Sequence, residues 1–244
     1  VLHIDGPLLI VAGAGAGKTK TIVHRIAHII EEGIPPSSIL AVTFTNKAAG
    51  EMRDRVRSLL SGKRGPASPP RGGAEAGRGG LPLVATFHSL GVRLLREFHE
   101  EAGVPRNFSI WDRDDSLRAV KAELKRLDTE EWTPRQILGA ISREKGGGTT
   151  LRDYTERAST RREQTVAQIW ERYEQELKAQ DSLDFDDLLV RTLMLARESP
   201  NILSLLQNRW RYIIVDEYQD TSGVQYELMK LLSGERGNMC VVGD

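Results

Sequence analysis

The sequence predicts an α/β fold, a parallel sheet interrupted by an all-helical insertion, and three observations carry that expectation. Short apolar runs alternate with helix-period segments at both ends of the chain, the pattern of strands crossed over by helices. A glycine-rich stretch after the first of those runs ends in Gly-Lys-Thr and opens a helix. From about 103 to 208 the signals are helical.

The first strand is Leu8-Leu9-Ile10-Val11, preceded by turn chemistry at Asp5-Gly6-Pro7. It runs into Ala12-Gly13-Ala14-Gly15-Ala16-Gly17-Lys18-Thr19. Small residues let a backbone wrap a phosphate with its N–H groups, and the helix start adds a favourable dipole. Lys18 is then placed to reach the β- and γ-phosphates of a nucleotide, and the Thr19 hydroxyl to sit on a magnesium ion. The strict pattern begins with glycine and here that position is Ala12, but Gly13, Gly15 and Gly17 still supply a permissive backbone. A plain glycine-rich turn or a dinucleotide-binding loop explains Gly-Lys-Thr at a helix start poorly.

Ile22, Ile26, Ile29 and Ile30 mark the buried stripe of the first helix, which Gly33 and Pro35 end. Ile39-Leu40-Ala41-Val42 is the next strand. Thr45-Asn46 caps a helix with Met52, Val56, Leu59 and Leu60 on one face. Ser61 to Pro82 is rich in Gly, Pro, Ser and Arg, has little to bury, and is expected to be a mobile, solvated insertion, with nucleic-acid contact through its excess of basic residues as the alternative. Leu83-Val84-Ala85-Thr86 returns as a strand, and a helix follows through Leu90, Leu94, Leu95 and Phe98.

In the helical block Asp112 and Thr133 are cap candidates, Pro134 suits a first helical position, and Gly146-Gly147-Gly148 separates helices. Trp170, Tyr173 and Leu177 form one core stripe, and Leu188, Leu189 and Leu193 another. The chain finishes with a strand at 212–215, a helix through Tyr226, Leu228, Leu231 and Leu232, and a strand at 239–242.

Three constellations sit where such a sheet would meet a ligand, at strand carboxyl ends. Tyr212-Ile213-Ile214-Val215 delivers Asp216 and Glu217. A buried strand ending in paired acids suits a magnesium ion beside nucleotide phosphates, Asp216 holding the metal through water and Glu217 orienting and deprotonating an attacking water. The bland reading is an acid-rich helix start. Thr43-Phe44-Thr45-Asn46-Lys47 combines an aromatic, hydroxyls, an amide and a cation, a mix that suits single-stranded nucleic acid with a base stacked on Phe44. Thr86-Phe87-His88-Ser89 repeats the theme. Each alone is explained as a cap and a core aromatic; their similar placement favours nucleic acid.

With 34 basic and 34 acidic residues the formal charge is zero, which neither demands nor excludes nucleic acid. Cys240, the single cysteine, lies in the apolar run Met239-Cys240-Val241-Val242 and reads as a core residue; an internal disulfide and a four-ligand zinc pattern are excluded. No apolar stretch approaches a membrane span and no signal peptide leads the chain, so a cytoplasmic enzyme is expected. The start at Val1 and the stop at Gly243-Asp244 suggest an excised fragment.

Taken together, Ala12–Thr19, Ala41 to Ala49, Thr86 to Ser89, Asp184-Phe185-Asp186-Asp187-Leu188-Leu189 and Asp216 to Thr221 stand in the order and approximate spacing of the motifs of the UvrD/Rep/PcrA helicases of superfamily 1A. The resemblance spans nearly the whole chain. It implies a RecA-like motor domain (1A) formed by 1–88 and 208–244, with 89–207 as its inserted helical domain 1B. It also implies ATP and magnesium as cofactors, single-stranded DNA and its junctions with duplex as partners, and 3′→5′ translocation with strand separation in the repair or replication of bacterial DNA.

Matched by position, Lys18 and Thr19 are the phosphate-loop pair, Asp216 the magnesium-associated carboxylate and Glu217 the catalytic base. Gln219 matches the glutamine by the γ-phosphate. Phe44, Thr45, Asn46 and His88 match positions along the single strand. For Asp184 to Leu189 the expectation is structural, a helix cap followed by core leucines.

The family usually carries Phe at the position of Tyr218, and the 61–82 segment is longer than its usual connection. The adenine-contacting glutamine motif would lie before Val1, and the transition-state arginines and second motor domain after Asp244. Residues 1–244 alone are therefore expected to bind nucleotide weakly and turn over negligibly. Two alternatives are the motor portion of a helicase–nuclease and an ATP-gated DNA-binding protein without hydrolysis.

Overall fold

The computed structural model describes residues 1–13, 15–63 and 80–244. Ala14 and most of the Ser61–Pro82 segment lie outside the described residues. The chain divides into two compact units, one of Val1–Leu90, Ser199–Thr221 and Leu228–Asp244, the other of Gly91–Glu198 and Ser222–Glu227. Among the described residues there are ten α-helices, and none is long and apolar enough to cross a membrane.

The first unit is built on five parallel strands: β1 (Leu8–Val11), β2 (Ile39–Thr43), β3 (Leu83–Thr86), β6 (Tyr212–Val215) and β7 (Met239–Gly243). Their order across the sheet is β1-β7-β6-β2-β3. Because every pair is parallel, all five carboxyl ends open on the same side of the sheet. β2 and β6 are buried at every residue, as the continuous apolar runs of interior parallel strands require. β1 is an edge strand, and its four apolar residues alternate: Leu8 and Ile10 pack on the core while Leu9 and Val11 are exposed.

Helix α1 (Lys18–Glu31) covers the sheet through Ile22, Ile26 and Ile29, all fully buried at helical spacing. Burial of each such side chain contributes about 1.5–3 kcal/mol. The helix ends where Gly33 adopts φ 87°, with Gly33 N–H donating to Ile30 O and Ile34 N–H to Ile29 O, the paired bonds of a glycine C-terminal cap. Helix α2 (Asn46–Lys63) adds Met52 and Val56 to the same core, which also holds Cys240.

The second unit is helical, with α3 (Phe87–Glu97) leading in from β3, then α4 (Arg113–Arg126), α5 (Pro134–Gly146), α6 (Leu151–Arg157), α7 (Arg161–Ala179) and α8 (Phe185–Glu198). The helix α9 (Pro200–Arg209) belongs to the first unit, and α10 (Gly223–Ser233) to both in part. Asp112, Thr133 and Thr160 each cap a helix in a reciprocal box with the residue three positions on. The helical block is not uninterrupted: Ser109–Ile110 (β4) and Ser182–Leu183 (β5) pair in parallel. Two-residue strands have no periodicity for a sequence to display, which is why only helices are visible there.

Trp111, Ile137, Ile141, Trp170 and Tyr173 lie in one apolar core, with Trp111 and Tyr173 edge-to-face at 5.8 Å. A buried polar knot adjoins it. Lys145 Nζ lies 2.6 Å from Glu174 Oε1, 3.0 Å from Asp184 Oδ2 and 2.9 Å from Asp187 Oδ1. Tyr173 OH donates to Asp184 Oδ2 at 3.0 Å. Asp184 caps α8 as expected, its Oδ1 accepting from Asp187 N–H at 2.7 Å, but its second oxygen is committed to the lysine. Burial opposes the charge on Lys145, and Asp187, Asp184 and Glu174 outweigh it, holding the ammonium well above the ordinary lysine pKa.

Candidate functional site

The glycine-rich loop leaves β1 still tied to its neighbour, Ala12 N–H donating to Gly243 O at 3.0 Å. Ala16 N–H bonds back to Gly13 O at 3.1 Å. Gly15 and Gly17 have φ of 79° and 86°. A Cβ at either would meet nothing within 4 Å, so the left-handed backbone, and not crowding, asks for glycine. Gly17 is also the N-cap of α1 and provides no side-chain acceptor, which leaves the first N–H groups of the helix open toward an anion.

Lys18, the first residue of that helix, points its ammonium at the carboxyl ends of β6 and β7. Nζ is 3.1 Å from Glu217 Oε2 and is also paired with Asp244. The Asp244 hydrogen bond, with help from Glu217, raises the Lys18 pKa. Thr19 follows at the same helix start and is half-buried.

Asp216 is buried at the end of β6, its N–H donating to Val42 O of β2 at 3.0 Å. Burial, and then the neighbouring Glu217 charge, push its carboxyl above the ordinary value. Glu217 stands in the left-handed region at φ 52°, ψ 46°, a conformation that disfavours any residue with a Cβ. The strained peptide turns its carboxylate back toward the loop, where it accepts from Gln219 Nε2 at 2.8 Å and from Lys18. Those two donors depress the Glu217 pKa. The chain does not continue into an α-helix here but into a single 3₁₀ turn, Tyr218–Asp220, so the acid-rich helix start is not what forms.

The other two constellations come together on adjacent strands, Thr43 of β2 in register with Thr86 of β3. Thr45 Oγ1 accepts from Ala48 N–H at 3.1 Å and Thr86 Oγ1 from Ser89 N–H at 3.1 Å, so both hydroxyls cap the helices that follow. Phe44 is half-buried, its ring tilted against the buried Phe87 with centroids 5.3 Å apart. Thr45 and Asn46 are exposed; His88 is half-buried, and burial lowers its pKa toward the neutral form.

The parallel sheet thus gathers Ala12, Gly13, Gly15, Ala16, Gly17, Lys18 and Thr19, the acids Asp216 and Glu217 with Gln219, and Phe44, Thr45, Asn46 and His88 along one edge. Ala14 lies outside the described residues. Sequence reasoning missed Asp244 as a partner of Lys18. The available signal was an acid at the end of an apolar strand, the same pattern that marks Asp216.

The donor set also bears on magnesium. Among the described residues no three His, Cys, Asp or Glu side chains form a self-contained metal site. One buried carboxylate and one hydroxyl instead suit a hard cation that takes its remaining ligands from phosphate and water.

A family model described as the UvrD/REP helicase N-terminal domain matches residues 1–244. The chain is 42% identical over 243 residues to the ATP-dependent DNA helicase PcrA of Staphylococcus aureus, and 44% identical over 243 residues to the protein of that name from Bacillus subtilis. The match to PcrA of Leuconostoc citreum is 42%. Each alignment covers 98% of this chain and 31% of the relative, so the chain spans about a third of the length of the curated relatives it matches.

Proposed function

Since the chain belongs to the UvrD/REP helicase family, with a RecA-like α/β sheet, we propose that it is the ATP-binding portion of a DNA helicase that moves 3′→5′ on single-stranded DNA. The observation that carries this reading is the convergence of a glycine-rich loop, paired acids and two Thr-Phe motifs on the carboxyl edge of one parallel sheet. The named relatives are ATP-dependent DNA helicases, and the loop, the acids and the aromatic motifs on this edge support the same reading.

In this reading the open N–H groups of residues 13–19 and the Lys18 ammonium hold the nucleotide phosphates. Thr19 and, through water, Asp216 would hold a magnesium ion, which would supply the charge that neutralises the phosphate oxygens. Glu217, kept ionised by its two donors, accepts the proton of the attacking water, and Gln219 lies beside it to face the γ-phosphate. Phe44 stacks a base while Thr45, Asn46 and His88 hold the strand. The sheet unit is the first motor domain, the helical unit its inserted domain, and DNA repair or replication the setting.

The test is DNA-stimulated ATP hydrolysis by the full-length protein. Lys18→Ala and Glu217→Gln are each expected to lower it by at least about 100-fold, the scale of losing a positioned general base or charge clamp. Hydrolysis persisting at a comparable rate in either variant would remove that residue from its assigned role.

A further inference from the structure

A cavity of about 520 Å³ opens within the helical unit, a size that suits a small-molecule site. It lies among the start of α4, the last turns of α5 and the start of α8, and its walls include Trp111, Arg113, Ser142, Arg143, Phe185 and Asp186. Two other acids of the wall are already engaged: Asp112 caps α4 through Asp114 and Asp115 N–H, and Asp184 faces Lys145. Asp186 is engaged at one oxygen only. Its Oδ2 accepts from Ser142 Oγ at 2.6 Å, and Oδ1 has no hydrogen-bond partner among the described residues. Burial pushes this carboxyl above its ordinary value against the pull of the Ser142 hydroxyl, as clefts that hold ligands commonly do. Arg113 and Arg143 are exposed, and among the described residues neither side chain forms an ion pair or a hydrogen bond. Phe185 is 50% exposed and, with Trp111, offers flat apolar surface.

These groups narrow the occupant. An acidic side chain would meet Asp186, and a basic one would meet two unpaired guanidinium groups. A flat ring that carries both N–H donors and an anionic group satisfies all of them, which describes a nucleotide. Among the bases guanine alone sets two neighbouring N–H donors on one edge and two acceptors, O6 and N7, on another, matching a carboxylate and a guanidinium. We propose that this cavity binds a guanine nucleotide, free or within a single strand. Asp186 accepts from the base, Arg143 donates to O6 and N7, Phe185 stacks on the ring and Arg113 pairs with the phosphate. Arg143 is given the base because it follows Ser142, the residue bonded to Asp186, whereas Arg113 comes from α4. The site shares no residue with the phosphate loop and does not depend on that assignment.

The test is binding of GMP, AMP and TMP to the full-length protein carrying Lys18→Ala, which weakens the phosphate-loop site, followed by ligand-observed NMR. GMP is expected to bind about ten-fold tighter than AMP or TMP, the scale of one bidentate base contact. Asp186→Asn keeps an acceptor for Ser142; it is expected to lower GMP affinity about ten-fold and erase the preference, the scale of a lost charged hydrogen bond. Arg113→Ala is expected to weaken GMP and leave guanosine unchanged. Displacement of GMP by an oligothymidylate carrying one guanine, and not by plain oligothymidylate, assigns the site to a strand; displacement by neither assigns it to the free nucleotide. Displacement by both, equal affinities for GMP, AMP and TMP, or a preference that survives Asp186→Asn overturns the proposal.

Discussion

Lys18 in the sheet unit and Lys145 in the helical unit each face more than one carboxylate, yet their surroundings are opposite. The partners of Lys18 have side chains 42% and 51% exposed, whereas Asp184 and Asp187, which face Lys145, are 6% and 5% exposed. Water around the first pair of acids weakens their hold and competes for the ammonium, so another anion can replace them. Lys145 and two of its three acids are shut off from water, so removing the lysine leaves buried carboxylates without their main counter-charge. Exposure of the acids, and not their number, separates an exchangeable ion pair from a permanent one.

The largest effect that bears on this contrast is Lys145→Met. It strands three acids around an apolar side chain and is expected to destabilise the helical unit by about 3–5 kcal/mol. Urea unfolding followed by tryptophan fluorescence measures it well, because Trp111, Trp132 and Trp170 all belong to that unit. Lys18→Met is expected to leave the unfolding midpoint unchanged. Equal sensitivity of the two lysines would erase the distinction.

A smaller effect compares two glycines. A Cβ at Gly91 would lie 2.5 Å from the backbone O of Leu188, next to Asp187, and neither backbone can easily give way. Gly91→Ala is expected to cost about 1–3 kcal/mol of stability, as overpacking does. At Gly243 the obstacle is the flexible end of Gln219, so Gly243→Ala is expected to keep its stability and lose nucleotide-dependent activity. Reversed outcomes would mean that the corner around Lys18 is the rigid one.

The smallest effect is in pH. Burial pushes the Asp187 carboxyl up to about 6 against the pull of Lys145, from an ordinary 3.8. Between those values the folded state binds more protons than the unfolded one, so this group's contribution to stability falls as pH rises through the window. Acidifying from pH 7 to 5 is therefore expected to favour wild type relative to Asp187→Asn, by on the order of 1 kcal/mol. Parallel pH profiles for the two proteins would show that Asp187 titrates normally.

The sheet unit is largely legible in the sequence because its signals are local. The Gly-Lys-Thr helix start and the acids after Val215 each occupy consecutive residues, and strand order then brings them together. The Lys145 knot has no such signal. Its partners Asp184 and Asp187 lie 39 and 42 residues away, and Asp184 already has a sufficient local explanation as a cap. Asp244 does follow an apolar run, but its contact with Lys18 joins the residue after β7 to the start of α1, a pairing that no local pattern displays. Even the well-marked motifs hide one property: nothing in Asp-Glu-Tyr-Gln says that Glu217 must adopt a left-handed backbone.

The hydrogen bond from Asp216 N–H to Val42 O has a mechanical meaning. It makes the residue beside the glycine-rich corner and the strand that delivers Phe44 rungs of one ladder, and Thr43 is in turn laddered to Thr86. Anything grasped at those two places is bolted to a common chassis. A load applied at one place reaches the other through backbone hydrogen bonds and not through flexible side chains.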